Sequence, residues 1–157
     1  MRVPYALLVP ETSLWDNLAT SARRFPNKVA LEFLGQVTRY GELARQVEAL
    51  AARLHQWGVA RGDRVLLDMQ NCPQLVVAHF AILRANAVVV PINPMNRAEE
   101  LKHYIADSDA RVALVTSELA ADMAKASNEL PVGTGLTRLV VTHYTDAFDS
   151  EIGRAHV

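Results

Sequence analysis

Cysteine is nearly absent from this chain of 157 residues: Cys72 stands alone, which excludes an intramolecular disulfide, a cysteine-rich zinc site and a CxxC redox pair. That usage fits a reducing, cytoplasmic setting. Glycine and proline number seven each, too few for a collagen-like or low-complexity chain. An excess of either charge is also missing. Sixteen Lys and Arg face seventeen Asp and Glu, for a net charge of −1, and neither sign gathers into a block. The electrostatic footprint of a nucleic-acid or acidic-membrane partner is therefore absent. Long apolar runs are lacking too. The stretch 3–9 is broken by Pro4 and closed by Pro10 and Glu11, far short of the roughly 20 residues that span a bilayer, so neither a signal peptide nor a transmembrane segment is expected. What is there is half apolar and about a fifth charged, the composition of one globular domain.

Along the chain, Thr12 and Ser13 are candidate caps for a helix over 12–26 carrying Leu14, Leu18 and Ala22 and stopped by Pro26. The segments 29–33 and 36–39, joined at Gly35, read as a small hairpin. From Tyr40 the residues Leu43, Val47, Leu50, Leu54 and Trp57 step by four, three, four and three, one stripe on a helix that Gly58 terminates. A buried strand over 64–69 follows, then a mostly apolar helix opened by Pro73 and running to residue 85. Val88, Val89 and Val90, closed by Pro91, predict a second buried strand. A helix over 97–106, a strand over 111–116, a helix over 117–128 and a strand over 138–142 complete the alternation. Because parallel strands need crossovers and helices supply them, the order predicts an α/β fold with a largely parallel sheet and helices on both faces.

Few residues invite a chemical role. None of His55, His79, His103, His143 and His156 belongs to an HExxH motif or lies beside the cysteine at ligand spacing. His79, among Val76, Val77, Phe80 and Ile82, reads as a core or interface histidine, and His103 as an exposed one. Asp107 and Asp109 flank Ser108 before a strand, where a turn uses such side chains. There is no GxSxG elbow. Gly133-Thr134-Gly135 lacks both a Walker lysine and GxGxxG, so it reads as a plain loop rather than a phosphate cradle. Cys72 sits at a helix start, where the dipole lowers a thiol pKa, yet with no histidine beside it a capping or core role is the expectation.

Four stretches carry a family likeness. Tyr40-Gly41-Glu42-Leu43 resembles the (T/S)YxEL motif of adenylate-forming enzymes, and Gly62-Asp63-Arg64-Val65 resembles their GDRV turn. Asn71-Cys72-Pro73 is similar to NxPE(F/L), and residues 83–93 to LKAGAVxVPLN. Order and spacing agree over about residues 14–141. Arg39 replaces the usual Thr or Ser, which removes a side-chain N-cap worth about 1 kcal/mol unless Thr38 substitutes. Asn86 replaces a Gly, and Asn is the residue that best tolerates a left-handed cap. Asn93-Pro94-Met95, then Ala98-Glu99-Glu100-Leu101 and Asp107-Ser108-Asp109-Ala110, are most similar to fatty-acyl and related CoA ligases.

The resemblance implies the N-terminal portion of the large domain of an acyl-CoA synthetase (fatty-acid CoA ligase), acting on a fatty or aryl carboxylic acid. It also implies ATP, CoA and Mg2+ for the full-length enzyme, none of which is expected to bind this stretch tightly. The family's phosphate loop and C-terminal lysine lie in later segments, so no catalytic, cofactor-binding or metal-binding residue is assigned here, and the chain alone is expected to be inactive. The alternatives are an adenylation domain for another acid and a free-standing α/β binding module. On this reading residues 1–151 form a partial AMP-binding domain, and residues 152–157 are a non-native tail, expected to be exposed and irregular. Ile152-Gly153-Arg154-Ala155-His156-Val157 lacks any hydrophobic period. A short-read sequencing adapter, read in frame as ATC GGA AGA GCA CAC GTC TGA, encodes those same residues and a stop.

Overall fold

Ser13 starts the first helix by donating its backbone N–H to Asp16 Oδ2 at 2.8 Å, in a computed structural model that describes residues 11–144 and the backbone of Ala155 and His156. The stretch 3–9 and the remainder of the tail lie outside the described residues. Helix α1 (Leu14–Arg24) buries Trp15, Leu18 and Ala22. The expected stripe is thus shifted: Leu14 is exposed, because Trp15 is the residue that shares a face with Leu18 and Ala22 at spacings of three and seven. The Arg84 guanidinium lies 5.8 Å from the Trp15 ring centroid and ties α1 to a later helix.

Strands β1 (Val29–Phe33) and β2 (Gln36–Arg39) pair antiparallel. Their turn holds Leu34 at φ 49° and Gly35 at φ 79°, the two positive values of a type I′ hairpin. Helix α2 (Tyr40–Gln56) follows at once, and Leu43, Val47, Leu50 and Leu54 are buried as the stripe requires, with Trp57 half-buried just past the helix end. Its missing N-cap is compensated from within, since Arg39 N–H donates to Glu42 Oε2 at 3.4 Å, while Thr38 is buried in β2. At the other end Gly58, at φ 87°, lets its N–H reach His55 O and that of Val59 reach Leu54 O, at 2.9 and 3.0 Å. Those two bonds make a Schellman stop.

The remaining elements are β3 (Arg64–Asp68), α3 (Pro73–Arg84), β4 (Val88–Pro91), α4 (Ala98–Ser108), β5 (Val112–Thr116), α5 (Ala120–Asn128), β6 (Arg138–Thr142) and the two-residue β7 (Ala155–His156). They form one sheet in the order β4-β3-β5-β6-β7. The first four strands are parallel. Side chains alternate across the sheet as a period of two demands. Val65, Leu67, Val112, Leu114 and Val140 face a core with α1, α2 and α3. Leu66, Ala113 and Val115 face the opposite core with α4 and α5, through Leu101, Ile105, Met123 and Ala126. The fold is therefore α/β with helices on both faces. Helix α3 is mostly apolar, and only its last residue, Arg84, is exposed, as expected for a helix enclosed by neighbours. Asn86 closes it at φ 58°, with N–H bonds from Asn86 to Leu83 O and from Ala87 to Ile82 O, both 3.0 Å. Asn thus fills the left-handed position that its type tolerates.

Three further expectations need correction. Strand β4 is an edge, with Val88 exposed, because no strand flanks its outer side among the described residues. Val88 and Ile92 donate inward to Asp63 O and Leu67 O, so alternation turns Val89 and Pro91 outward, and Pro91 has no N–H to offer another strand. Helix α5 starts at Ala120 rather than 117, since Ser117 N–H extends the β5 ladder to Thr142 O at 2.9 Å and Leu119 N–H turns back to Thr116 O at 3.0 Å. Within the tail, Ala155 and His156 are extended rather than irregular: they pair antiparallel with Val140 and Leu139, covering part of the β6 edge.

Candidate functional site

From β3 the chain runs to β4 on one side and, through α4, to β5 on the other, so the strand order reverses between β3 and β5. Open parallel sheets bind ligands beyond the carboxyl ends of their strands at such a reversal. Asp68 ends β3 there, and it is only 2% exposed. Its Oδ1 is buried and has no hydrogen-bond partner among the described residues. Strand alternation places Asp68 on the side of Leu66, toward α5. Burial, with Glu118 and Asp122 nearby, pushes its carboxyl up from 3.8 to about 6, because both desolvation and like charge oppose ionisation.

Glu118, on the turn after β5, has the opposite balance. Burial pushes it up, but hydrogen bonds from the Tyr144 hydroxyl and from Thr116 outweigh that and leave it below its ordinary value. Thr116, fully buried, donates its Oγ1 to Glu118 Oε1 at 2.7 Å, and the Tyr144 hydroxyl donates to the same oxygen. Burial, then the Glu118 carboxylate, raise the Tyr144 hydroxyl in turn. Gln74, near the start of α3, donates Nε2 to His143 O at 2.9 Å, which leaves its buried Oε1 without a donor. Cys72 caps α3 and is buried. Burial raises its thiol pKa and outweighs backbone hydrogen bonds from Leu75 and Gln74, so the dipole effect considered from sequence loses and the thiol stays protonated. The arrangement sets a buried carboxyl that favours its proton near one that favours its charge. It does not suit a triphosphate, because the carboxylates Asp68, Glu118 and Asp122 repel one. Among the described residues no group of three His, Cys, Asp or Glu side chains could hold a metal ion.

The residues noted in the sequence lie elsewhere. His55 Nδ1 is 3.1 Å from Val59 O at the end of α2. His79 stacks edge-on against Phe80 at 5.6 Å in α3, half-buried, and His103 is exposed on α4. His143 contributes its carbonyl to Gln74, and the side chain of His156 lies outside the described residues. Asp107 is exposed in α4, and Asp109 ends that helix in the left-handed conformation, 3.6 Å from the Arg111 guanidinium. The Gly133 loop lies at the opposite, amino end of the sheet, where Gly133 O and Gly135 O both accept from Arg111 Nη1. It therefore presents carbonyls to a cation rather than amides to an anion. A cleft of about 340 Å3 at that end is lined by Trp57, Asp63, Arg64 and Arg111 among others. Asp68, Gln74, Thr116, Glu118 and Tyr144 drew no attention in the sequence. The available signal was one acid closing a strand whose centre, Val65-Leu66-Leu67, is apolar.

The profile of the family described as AMP-binding enzyme matches residues 18–153. The chain belongs to that family. The match ends inside the tail, at Gly153. Among curated relatives, a long-chain-fatty-acid–CoA ligase of Bacillus subtilis is 34% identical over 117 residues, 74% of this chain and 21% of that protein. One of Escherichia coli is 33% identical over 142 residues, 90% of this chain and 25% of that protein. A salicyl-AMP ligase of Mycobacterium tuberculosis is 37% identical over 133 residues, 82% of this chain and 22% of that protein. The chain thus spans about a quarter of the length of the curated relatives it matches. The solved structure of a long-chain-fatty-acid-CoA ligase from Archaeoglobus fulgidus superposes with a TM-score of 0.77 at 28% identity, covering 87% of this chain and 28% of that one. Among the described residues no helix is long and apolar enough to cross a membrane.

Proposed function

We infer that this member of the AMP-binding enzyme family is the N-terminal portion of an ATP-dependent acid–CoA ligase of the cytoplasm, and that alone it completes neither step of the reaction. In that reaction a carboxylate attacks ATP to give an acyl-adenylate and pyrophosphate, and the thiol of CoA then displaces AMP. One observation carries the reading: the family match runs through almost the whole chain while the chain amounts to about a quarter of its relatives. The fatty-acid ligases among those relatives support a fatty acid, and the salicyl-AMP ligase supports an aryl one. Donors placed where charge develops supply much of the rate enhancement in such chemistry. The acidic ends of β3 and β5 offer none to a polyphosphate. ATP, CoA and Mg2+ are read as belonging to the longer enzyme, with none bound tightly by this chain. An adenylation domain for another acid is the second reading, favoured by 36% identity over 119 residues to triostin synthetase I of Streptomyces triostinicus. Residues 152–157 remain proposed as non-native, and re-sequencing the source locus tests that directly.

Carboxylate-dependent exchange of labelled pyrophosphate into ATP tests the reading. The purified chain is expected to match a protein-free blank with fatty, aryl and amino acids alike. Exchange well above that blank would overturn it.

A further inference from the structure

We propose that a proton held on Asp68, beside the ionised Glu118, keeps the Tyr144 hydroxyl bound to Glu118 at the carboxyl end of β5. The inference stands apart from the ligase reading and concerns only residues of this chain.

Three placements carry it. Glu118 takes hydrogen bonds from Thr116 Oγ1 and the Tyr144 hydroxyl on a single oxygen, so it works as an acceptor and is best served ionised. Asp68 is buried and its Oδ1 has no donor, so one oxygen of its charged form has no hydrogen bond to offset desolvation. Two carboxyls in one site separate their titrations when one is hydrogen-bonded and the other is dry. Among the described residues no ion pair reaches either acid. Helix α5 brings Asp122, already paired with Arg97 at 3.3 Å; the start of α3 brings the neutral Cys72 thiol and the Gln74 amide; the segment after β6 brings the Tyr144 hydroxyl and the His143 carbonyl that binds Gln74. Asp68 pairs in register with Val115, three residues before Glu118, so when Asp68 ionises two neighbouring acids, one buried and one exposed, are charged together. Glu118 is the exposed member, so its Tyr144 contact gives way while Thr116 Oγ1 keeps its bond.

The sign of the linkage is set by the raised value of Asp68, from 3.8 to about 6. A carboxyl that holds its proton more tightly when folded favours the folded state below pH 4, and that advantage is lost as pH rises to about 6. The full span is about a hundredfold in the unfolding equilibrium. Two measurements on the chain as it stands test it. First, urea unfolding at pH 4.5 and pH 7.5 is compared between the wild type and Asp68→Asn, which keeps the shape and cannot ionise. Between the two pH values the wild type is expected to lose at least tenfold in folding equilibrium relative to the variant. Second, carbon-13 spectra should show the Asp68 carboxyl titrating near pH 6, with the Tyr144 ring signals following the same midpoint in the wild type and not in Asp68→Asn. An Asp68 carboxyl titrating near 4, or Tyr144 signals with the same pH course in both proteins, would overturn the proposal, whatever the variant's stability.

Discussion

At the amino end of the sheet Arg111 gathers the carbonyls of Gly133 and Gly135 while its own carbonyl takes the N–H groups of Thr137 and Arg138 at 2.9 and 3.1 Å; at the carboxyl end Asp68 Oδ1 and Gln74 Oε1 are buried with no donor. The first end spends its polar groups on closing turns. Gly62 N–H reaches Asn86 O at 2.9 Å, and Ala60 N–H reaches Asp63 Oδ2 at 2.8 Å. Groups left unpaired at the second end cost stability, yet one of them, the Asp68 carboxyl, is able to change protonation. Parallel α/β sheets in general keep binding and chemistry at the carboxyl end. The difference between the ends teaches that in this chain one is built for rigidity and the other for response. Substitutions at the two should therefore differ in kind: a fixed stability loss at the amino end, a pH-dependent one at the carboxyl end.

Gly135→Ala gives the largest expected effect. A Cβ there would sit 2.7 Å from Ser127 O and 2.8 Å from Ser127 Oγ, and that hydroxyl is already engaged by Leu136 N–H at 2.8 Å. The carbonyl is backbone at the end of α5 and cannot swing away, so we expect a loss of about 2–3 kcal/mol, read as a lowered urea midpoint with unchanged slope. Gly133→Ala separates clash from strain. Its Cβ would meet nothing within 4 Å, but φ is +87°, and the left-handed penalty alone is about 1 kcal/mol. Equal midpoints for the two variants would mean that the close approach to α5 contributes nothing to the rigidity of this end.

The rigid end was far more legible in sequence than the responsive one. The stripe of α2, its stop at Gly58 and the left-handed Asn86 are local facts, fixed by side-chain spacing and by which residues tolerate positive φ. The edge position of β4 was hidden because Val88, Val89 and Val90 give the same β-branched signal in a central strand and an edge strand. The shift from Leu14 to Trp15 had a similar origin, since both are apolar and only the partner helices decide which one is buried. Asp68 was the hardest to see. An acid at a strand end reads as a turn former, and its burial depends on the turn after β5 and on α5, some fifty residues later. Glu118 was taken into a helix that begins only at Ala120, so the pair was invisible until the sheet order brought β3 beside β5.

Thr116→Val tests the responsive end with a smaller effect. It removes the 2.7 Å donor to Glu118 and keeps the side-chain volume, so we expect a loss of about 1 kcal/mol at pH 7. The folded-state value of Glu118 lies below its ordinary 4.5. Its hydrogen bonds therefore add stability above pH 4.5, and that contribution disappears as pH falls through the folded value. The penalty of Thr116→Val should shrink by pH 3. A penalty of the same size at pH 7 and pH 3 would assign Thr116 to apolar contact alone and erase the contrast between the two ends.

The smallest effect is expected outside the sheet, in the hairpin, which serves as a control for both ends. Leu34 holds φ 49° at the first central position of the turn and is 85% exposed. Its side chain thus contributes little burial while its backbone bears the left-handed cost of a branched apolar residue. Asn is the preferred partner of the following Gly35 in a type I′ turn. Leu34→Asn should therefore raise stability, by about 0.5 kcal/mol, with an equal gain at pH 4.5 and pH 7.5 because no titrating group of the sheet contacts the turn among the described residues. Urea midpoints at the two pH values check it. A gain confined to one pH would show that the hairpin communicates with the Asp68 site, and rigidity and response would then not be confined to opposite ends of one sheet.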